Sequence, residues 1–569
     1  MQVSDYIVDF LKAKKVKNVF LVTGGAIAFV IDKIGASSDI EYICTQHEQS
    51  AAMAADAYSR IGPGIGVALA TSGPGATNLI TGICCSWFDS VPTLFITGQV
   101  NTMEQVGTKK VRQIGFQETN IVDIVRPITK FAAKLENASD IKYLLEKAVD
   151  IAKSDRQGPV LIDIPINLQY ASLKKSSLKS YRKNEKNRSG EKALPAKKIK
   201  EVIKLISSAK RPVIVAGFGV RLAKADKELL SLVNTLGFPI VTTWSGIDLI
   251  AGSHPLLVGQ FGIYGARSAN FTVQNCDLLI SIGARLDTRQ TGKPSSYAKN
   301  AKKIIVDIDA AELHKGRGLE PDLEVNSDAK EFLTTLLLLK NKVKTKNIKP
   351  WLWQITKWKE QYPILDPKYY AQRKYVNPYL FMKVFSDLLP NNAIIVGDSG
   401  GNLTWTIQGI KIKKGQRLLS AFGNSPMGYA LPAAIGAYYA SDKKRPVICI
   451  TGDGGLQINI QELQTIAHYK LPIKIIILNN KSYGIIKQFQ DTWLGSRYEA
   501  SEKGYSTPDF IKVAKSYGIK TIQIKNHRRL NKQIRSLMDA IGPVFCDVLL
   551  DPDQKIIPKL EYGSGLQIR

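Results

Sequence analysis

Three times along this chain, short apolar runs of strand length alternate with helical stretches. The first series has VFLV at 19–22, YIC at 42–44, GVALAT at 66–71, TLFIT at 93–97 and VLIDIP at 160–165. The second has PVIVAGFG at 212–219, PIVTTW at 239–244, LLISIGA at 278–284 and KIIVDID at 303–309. The third has AIIVGD at 393–398, PVICITGD at 446–453, KIIIL at 474–478 and PVFCDVLL at 543–550. Parallel strands need a long crossover, usually a helix, so this rhythm predicts mostly parallel sheets wrapped by helices. The fold class is α/β, with three consecutive domains at 1–171, 197–340 and 376–550. Residues 172–196 are polar, basic and aperiodic, which reads as a linker. The segment 341–375, rich in Lys, Trp and Tyr, is expected to cross the surface to the third domain.

Several function classes are excluded on composition. The start, MQVSDYIVDFLKAKK, reads as an amphipathic helix rather than a secretion signal, and no apolar run reaches membrane-spanning length. Neither a membrane location nor a nucleic-acid partner is expected: the formal charge of +29 comes from lysines scattered along the chain, without interleaved aromatic residues. Cys44, Cys84, Cys85, Cys276, Cys449 and Cys546 form no C-x-x-C pair and fall mostly in apolar runs, as in a reducing, cytoplasmic setting. His47-Glu48 lacks the second histidine of a zinc-protease helix, since Ala51 stands there.

The pattern richest in chemistry is Gly452-Asp453-Gly454 at the end of one apolar strand and Asn479-Asn480 at the end of the next. Carboxyl ends of parallel strands are where an open α/β sheet binds ligands, because the following helix offers unpaired amides there. A diphosphate fits such a place and needs a hard divalent cation. Magnesium takes oxygen ligands, and Asp453, the amide oxygen of Asn480 and the backbone carbonyl of Ser482 form a suitable set. A strand-end Gly-Asp by itself also occurs for conformational reasons.

GDGGLQINIQELQT at 452–465 and LNNKSYGIIKQFQ at 478–490 resemble the diphosphate-domain motif of thiamine-diphosphate enzymes. In addition TQHEQSAAMAADAYSR at 45–60, ATSGPGATNLITGI at 70–83, DSVPTLFITGQV at 89–100, GFQETNIVDIVRPITK at 115–130, GARLDTRQTGK at 283–293 and SPMGYALPAAIGA at 425–437 resemble, in order, the large catalytic subunit of acetolactate synthase. The resemblance implies pyrimidine- and diphosphate-binding domains flanking a Rossmann-like middle domain, with thiamine diphosphate and Mg²⁺ as cofactors. It implies a carboligase that decarboxylates pyruvate and passes the two-carbon unit to a second 2-oxo acid, in branched-chain amino-acid biosynthesis.

By the same resemblance, Glu48 hydrogen-bonds the coenzyme's pyrimidine ring, and Met427 is the apolar wedge that bends the coenzyme. Gly25, Ser72 and Asn78 belong with the coenzyme in the first domain. Gly400, Asn402, Ser425, Gly454, Gly455, Gly484 and Ile485 belong with it in the third. Arg289 falls where the family places an arginine for the second acid's carboxylate, with Phe116, Gln117 and Phe489 lining the same pocket. The middle domain resembles an FAD-binding domain, which leaves FAD open as a further cofactor, with Gly217, Gly219, Gly283, Arg285, Asp307 and Asp309 as contacts. The resemblance also implies a homodimer or homotetramer with active sites at the subunit interface, and leaves open a small regulatory subunit.

The chain departs from the family pattern at four places. Phe489 replaces a tryptophan that favours 2-oxobutyrate, GGNL at 400–403 replaces a Gly-Gln-His-Gln run, Thr23 replaces a proline, and KKVRQIG at 109–115 precedes Phe116 as an insertion. Such features keep a second reading open, a carboligase acting on a nucleotide-linked keto-sugar, to which the positive charge would be suited. A pyruvate oxidase, a decarboxylase and a non-catalytic binding relative are further alternatives.

Overall fold

The computed structural model describes residues 1–182, 194–561 and 565–566. The first sheet contains β1 (Asn18–Leu21), β2 (Glu41–Cys44), β3 (Gly66–Ala70), β4 (Thr93–Gln99), β5 (Phe131–Lys134) and β6 (Val160–Pro165), in the order β2-β1-β3-β4-β6-β5. The second contains β7 (Pro212–Ala216), β8 (Ile240–Thr242), β9 (Leu257–Gln260), β10 (Leu278–Ile282), β11 (Lys302–Asp307) and β12 (Leu323–Asn326), in the order β12-β11-β10-β7-β8-β9. The third contains β13 (Ile394–Gly397), β14 (Arg417–Leu419), β15 (Val447–Gly452), β16 (Lys474–Asn479), β17 (Lys520–Ile524) and β18 (Val544–Leu549), in the order β14-β13-β15-β16-β18-β17.

Neighbouring strands within all three sheets are parallel, as the alternation of apolar runs and helices requires. The first and third sheets share one strand order, so the chain carries the same wound unit twice with a different one between them. Each sheet has a point where the direction of winding reverses: between β1 and β3, between β7 and β10, and between β13 and β15. Such points open a crevice at the carboxyl ends of the strands.

The first and third units are joined through a helix of which half the residues are alanine or serine. In Glu48–Ile61 the alanines at 51, 52, 54, 55 and 57 have no exposed surface. A Cβ on Gly436, in the helix Ala430–Ala440, would lie 1.9 Å from the Ala54 carbonyl oxygen, and one on Gly82, in Ile80–Phe88, 2.2 Å from the Ala52 Cβ. Glycine and alanine thus let three helices touch at backbone distance, and the resulting core is shared by both units.

The segment 341–375 does more than cross the surface. Its helix Lys349–Gln361 buries Trp351 and Ile355 in the middle core, and Trp351 Nε1 donates to the Pro212 carbonyl at 3.0 Å. Trp351, Ile355 and Trp358 recur at helical spacing behind Pro350 in the first turn, so the composition drew attention away from a readable period. Of the expected linker, 183–193 lies outside the described residues.

Asp163 in β6 is 1% exposed and accepts from Thr97 Oγ1 at 2.7 Å and Gln99 Nε2 at 3.0 Å. Burial pushes its pKa up to about 7, against those two hydrogen bonds. A carboxyl whose folded pKa lies above its unfolded value holds extra protons in the fold, so its contribution falls as pH rises from about 4 to 7. Asp163→Asn should therefore gain thermal midpoint relative to the parent at pH 8 but not at pH 4. A variant that loses most at pH 8 would show that the fold depends on the ionised carboxylate.

Candidate functional site

In the first unit, the residues after β1 and β3 face one another across the winding reversal. Gly24 has no room for a side chain, since its Cβ would sit 2.4 Å from that of Thr71, whereas Gly25 faces open space. Ser72 is buried and begins the turn Ser72–Gly75, where Gly73 has φ +60°. Glu48 opens its helix behind His47, whose Nδ1 accepts from the Gln49 amide at 3.0 Å. Glu48 is 9% exposed, and its Oε2 accepts from Asn78 Nδ2 at 2.9 Å. A Cβ on Gly75 would approach Glu48 Oε1 to 3.3 Å, and one on Gly73 would lie 2.8 Å from the Gln117 Cβ. Ser72, Glu48, Asn78 and Gln117 are thereby gathered around one glycine turn. Phe116 stands apart from them with 85% of its surface exposed.

The reversal in the third unit is built on two strand-end aspartates. Asp398, after β13, accepts from the amides of Ser399 (2.8 Å), Gly428 (2.9 Å) and Ala430 (3.1 Å) and from Thr451 Oγ1 (3.1 Å). Its side chain is satisfied and its task is to shape the loop around Met427. Asp453, after β15, differs. Its Oδ1 accepts from the Gly454 amide at 3.0 Å, while Oδ2 is buried without a hydrogen bond. Burial raises its pKa to about 7, although the Ser482 and Lys481 amides turned toward the carboxylate pull the other way.

Around that oxygen the donor set is rich in oxygen and poor in positive charge. Asn480 is buried, and its Nδ2 donates to Ser482 Oγ at 2.9 Å, which fixes the orientation of the amide. The Ser482 carbonyl accepts from the Gly484 amide at 2.9 Å and keeps a second lone pair. Gly484 must be glycine, as a Cβ would come within 2.5 Å of Asn480 Nδ2. The Asn402 amide nitrogen donates to the Ser399 carbonyl, leaving Oδ1 buried and unbonded. Gly400 has φ +91° beside open space, and Ser399 and Ser425 share a hydroxyl contact at 3.0 Å. A Cβ on Gly454 would strike the Tyr483 ring at 2.3 Å and the Met427 methyl at 3.1 Å. On Gly455 it would meet Asp398 Oδ1 at 2.8 Å. Ile485 follows Gly484 in the helix Gly484–Trp493, which also carries Phe489, 37% exposed. A buried carboxylate oxygen left without a hydrogen bond, beside amide and carbonyl oxygens at a strand-order reversal, suits a hard divalent cation carrying a diphosphate.

The second reversal opens a cleft lined by Gly219, Gly283, Arg285 and Asp307, together with Asp89, Phe422 and Gly423 of the flanking units. Arg285 Nε and Gln290 Oε1 are buried there without hydrogen bonds. Gly217 and Asp309 lie outside that lining. A Cβ on Gly217 would lie 2.2 Å from the Gly283 carbonyl oxygen, so this glycine serves backbone packing. Asp309 pairs with Arg156 at 2.8 Å and caps the turn at Ala311. Arg289 is half-buried over the Trp244 ring at 5.8 Å and has no carboxylate partner among the described residues.

Sequence reasoning missed Asp398, Tyr483 and Tyr505. The two tyrosine rings pack at a tilt of 42° with centroids 4.3 Å apart, and the Tyr505 hydroxyl faces the Asp453 carboxylate. The signal for Asp398 was present, since Gly397-Asp398 repeats the strand-end Gly-Asp of 452–453.

Three domain models of one family match the chain in series: the N-terminal thiamine pyrophosphate (TPP) binding domain over residues 1–124, the central domain over 199–336 and the C-terminal TPP binding domain over 398–548. The chain is 37% identical to the acetolactate synthase large subunit of Cyanidium caldarium, covering 98% of this chain and 95% of that one. It is 33% identical to the acetolactate synthase large subunit of Lactococcus lactis, covering 98% and 94% respectively. With the acetolactate synthase isozyme 2 large subunit of Escherichia coli it shares 32% identity over 99% and 98%.

Proposed function

The chain belongs to the thiamine pyrophosphate enzymes, in the group of the acetolactate synthase large subunits, and from that membership we propose that two copies of it build each active site. It is a carboligase of the acetolactate-synthase type, which decarboxylates pyruvate on thiamine diphosphate and passes the two-carbon unit to a second 2-oxo acid. The observation that supports the site assignment best is the unbonded, buried Asp453 Oδ2 beside Asn480 at a winding reversal.

When bound, thiamine diphosphate would supply a nucleophilic C2 and, in its thiazolium ring, an acceptor for the electron pair released with carbon dioxide. Asp453, Asn480 and the Ser482 carbonyl would hold magnesium, and Asn402 lies beside Gly452, next to Asp453. Met427, packed against the Gly454 backbone, forms the apolar wall. Glu48 keeps Oε2 on Asn78 and leaves Oε1, at the Gly75 turn, to exchange a proton with the pyrimidine ring. Arg289, cationic and free of a carboxylate partner among the described residues, would receive the carboxylate of the second acid, with Gln117 on the pocket wall and Phe116, exposed in one copy, reaching it only from across the two-copy interface.

Two copies are favoured by what one copy leaves uncovered. Ile486, Phe489 and Trp493 form an exposed stripe on their helix, 49%, 37% and 53% accessible, and Phe116 and Met103 project into solvent. The Glu48 turn of one copy then meets the Asp453 turn of the other. The relatives are large subunits by name, so a smaller partner chain is part of this reading.

FAD fits the cleft at the second reversal, where Arg285 and Gln290 offer unbonded polar atoms. The purified protein should carry flavin, and Arg285→Ala should lower its content severalfold, read by absorbance after heat release. Flavin content equal to the parent would remove Arg285 from the site.

Phe489 bears on the acceptor. Phe489→Trp should raise preference for 2-oxobutyrate over pyruvate as second substrate by roughly tenfold, measured by competition between the two acids. An unchanged product ratio would place Phe489 away from the acceptor. For the activity itself, pyruvate alone with both cofactors should yield acetolactate; free acetaldehyde or reduced flavin as the main product would mark a decarboxylase or an oxidase instead.

A further inference from the structure

A cluster of charges is buried where the first and third units meet, and of its three members only Asp89 also lines the cleft of the middle unit. Asp56 and Arg60 lie on the helix that begins with Glu48, and Asp89 follows the helix Ile80–Phe88. Their side chains are 0%, 1% and 7% exposed. Arg60 Nε donates to Asp56 Oδ2 at 2.7 Å, and its Nη2 lies 2.9 Å from Asp89 Oδ2. Nη2 also donates to Asp56 Oδ1 at 3.3 Å and to the Cys85 carbonyl at 3.4 Å, which leaves Nη1 for one segment of the third unit.

That segment is 420–429, which carries Ser425 and Met427. Arg60 Nη1 donates to the Ser420 carbonyl at 3.1 Å. Asp89 Oδ2 and Oδ1 accept from the amides of Phe422 and Gly423, each at 2.8 Å. The Tyr429 hydroxyl donates to Asp56 Oδ2 at 2.6 Å. A Cβ on Gly423 would stand 2.8 Å from Asp89 Oδ1, so backbone and carboxylate are in direct contact. Asp398 and Asn459 hold the far side of the turn through Gly428 and Ala430. The near side is thus tied mainly to side chains of the first unit.

Buried ion pairs gain little net stability, because desolvation offsets their attraction. Three charges with an excess of one negative are a poor choice for simple adhesion between two alanine-rich helices. They are a good choice where a turn must be fixed in position, since a carboxylate accepting two adjacent amides leaves the backbone few alternatives.

The geometry points to Asp56, Arg60 and Asp89, with Tyr429, as positioning residues that set the Met427 turn against Asp453, and through it the bent shape of the bound coenzyme. This rests on the assignment of that turn as the coenzyme's apolar wall. The Glu48 helix then does two tasks. Its first residue serves the pyrimidine ring, and its last two turns hold the wall of the diphosphate half carried by the same chain.

Full-length Asp89→Asn and Tyr429→Phe are compared with the parent in three measurements. Without coenzyme, amide hydrogen exchange in 420–430 should accelerate by about tenfold or more, while exchange in 48–55 is unchanged. With magnesium, the dissociation constant for thiamine diphosphate should rise by about tenfold. At saturating coenzyme, exchange of its C2 proton with solvent should slow by about tenfold or more, with KM for pyruvate within about twofold of the parent, since displacement by an ångström is enough to cost that much. Arg60→Lys, which keeps the charge and loses the fork, should fall between, and substitutes if Asp89→Asn does not fold. Variants that melt earlier yet exchange C2 at the parental rate once saturated would overturn the positioning role and leave a structural one. A parent protein that neither binds the coenzyme nor exchanges its C2 proton would instead sink the functional assignment beneath it.

Discussion

Glu48→Gln lowers turnover of pyruvate by about 10³-fold, with coenzyme and magnesium still bound. The substitution keeps the shape of a side chain enclosed by the Gly75 turn and Asn78. It also removes a negative charge from the first turn of a helix, a loss of about 0.3–1 kcal/mol that a core of this size tolerates. What it takes away is the acidic oxygen that trades a proton with the pyrimidine ring. Turnover and C2-proton exchange should fall together, and titration calorimetry should show thiamine diphosphate binding within about tenfold of the parent. Turnover reduced by less than about tenfold would mean that the proton is handled elsewhere.

Asp453→Ala abolishes magnesium-dependent coenzyme binding and changes the pH response of the unliganded protein. The carboxyl sits at a pKa of about 7 in the fold, above its unfolded value, because burial disfavours its charge. By linkage, its contribution without metal is fully present at low pH and is lost as pH rises from about 4 through 7. The alanine variant without ligands should thus be as stable as the parent or more so at pH 8, and should lose that advantage at pH 4. Magnesium and thiamine diphosphate reverse the order. At a hundred times its dissociation constant a ligand stabilises the parent by about 2.7 kcal/mol, and the variant should gain nothing. Thermal midpoints at both pH values, with and without the two ligands, give all four terms. An equal ligand-induced rise in the variant would remove Asp453 from the metal site.

Much of the fold was readable because central strands of a parallel sheet are apolar on both faces. Ile475–Leu478 and Ile214–Ala216 are examples, each wholly buried. The edge strands β5, β9, β12, β14 and β17 escaped notice for the complementary reason. Phe131–Lys134 is half-buried throughout, and Arg417–Leu419 is three residues long, so neither leaves a periodic trace. Strand order was not legible either, since the reversal between β13 and β15 depends on crossovers that no local pattern encodes.

The site divides along the same line. Asp453 and Asn480 were legible because a strand-end Gly-Asp is followed, at the end of the next apolar strand, by paired asparagines. Asp398 has a similar strand-end Gly-Asp but no paired asparagines after it, and its bonds to Gly428 and Ala430 join positions about thirty residues away. The Arg60–Asp89–Phe422 connection joins residues more than three hundred positions apart, and only packing brings them together. Trp351 was misjudged as part of a surface crossing because an aromatic-rich, lysine-rich stretch hides an amphipathic helix when composition is weighed ahead of period.

Mixing the two inactive variants, Glu48→Gln and Asp453→Ala, and letting their subunits exchange tests the shared site most directly. If each site takes its glutamate from one copy and its metal clamp from the other, a mixed dimer has one site with both defects and one site with neither. Random exchange of equal amounts makes half of the dimers mixed, so acetolactate formation should recover to about a quarter of the parental rate. A mixture that stays as inactive as its two components, with subunit exchange verified by mass, would show that both groups come from the same chain.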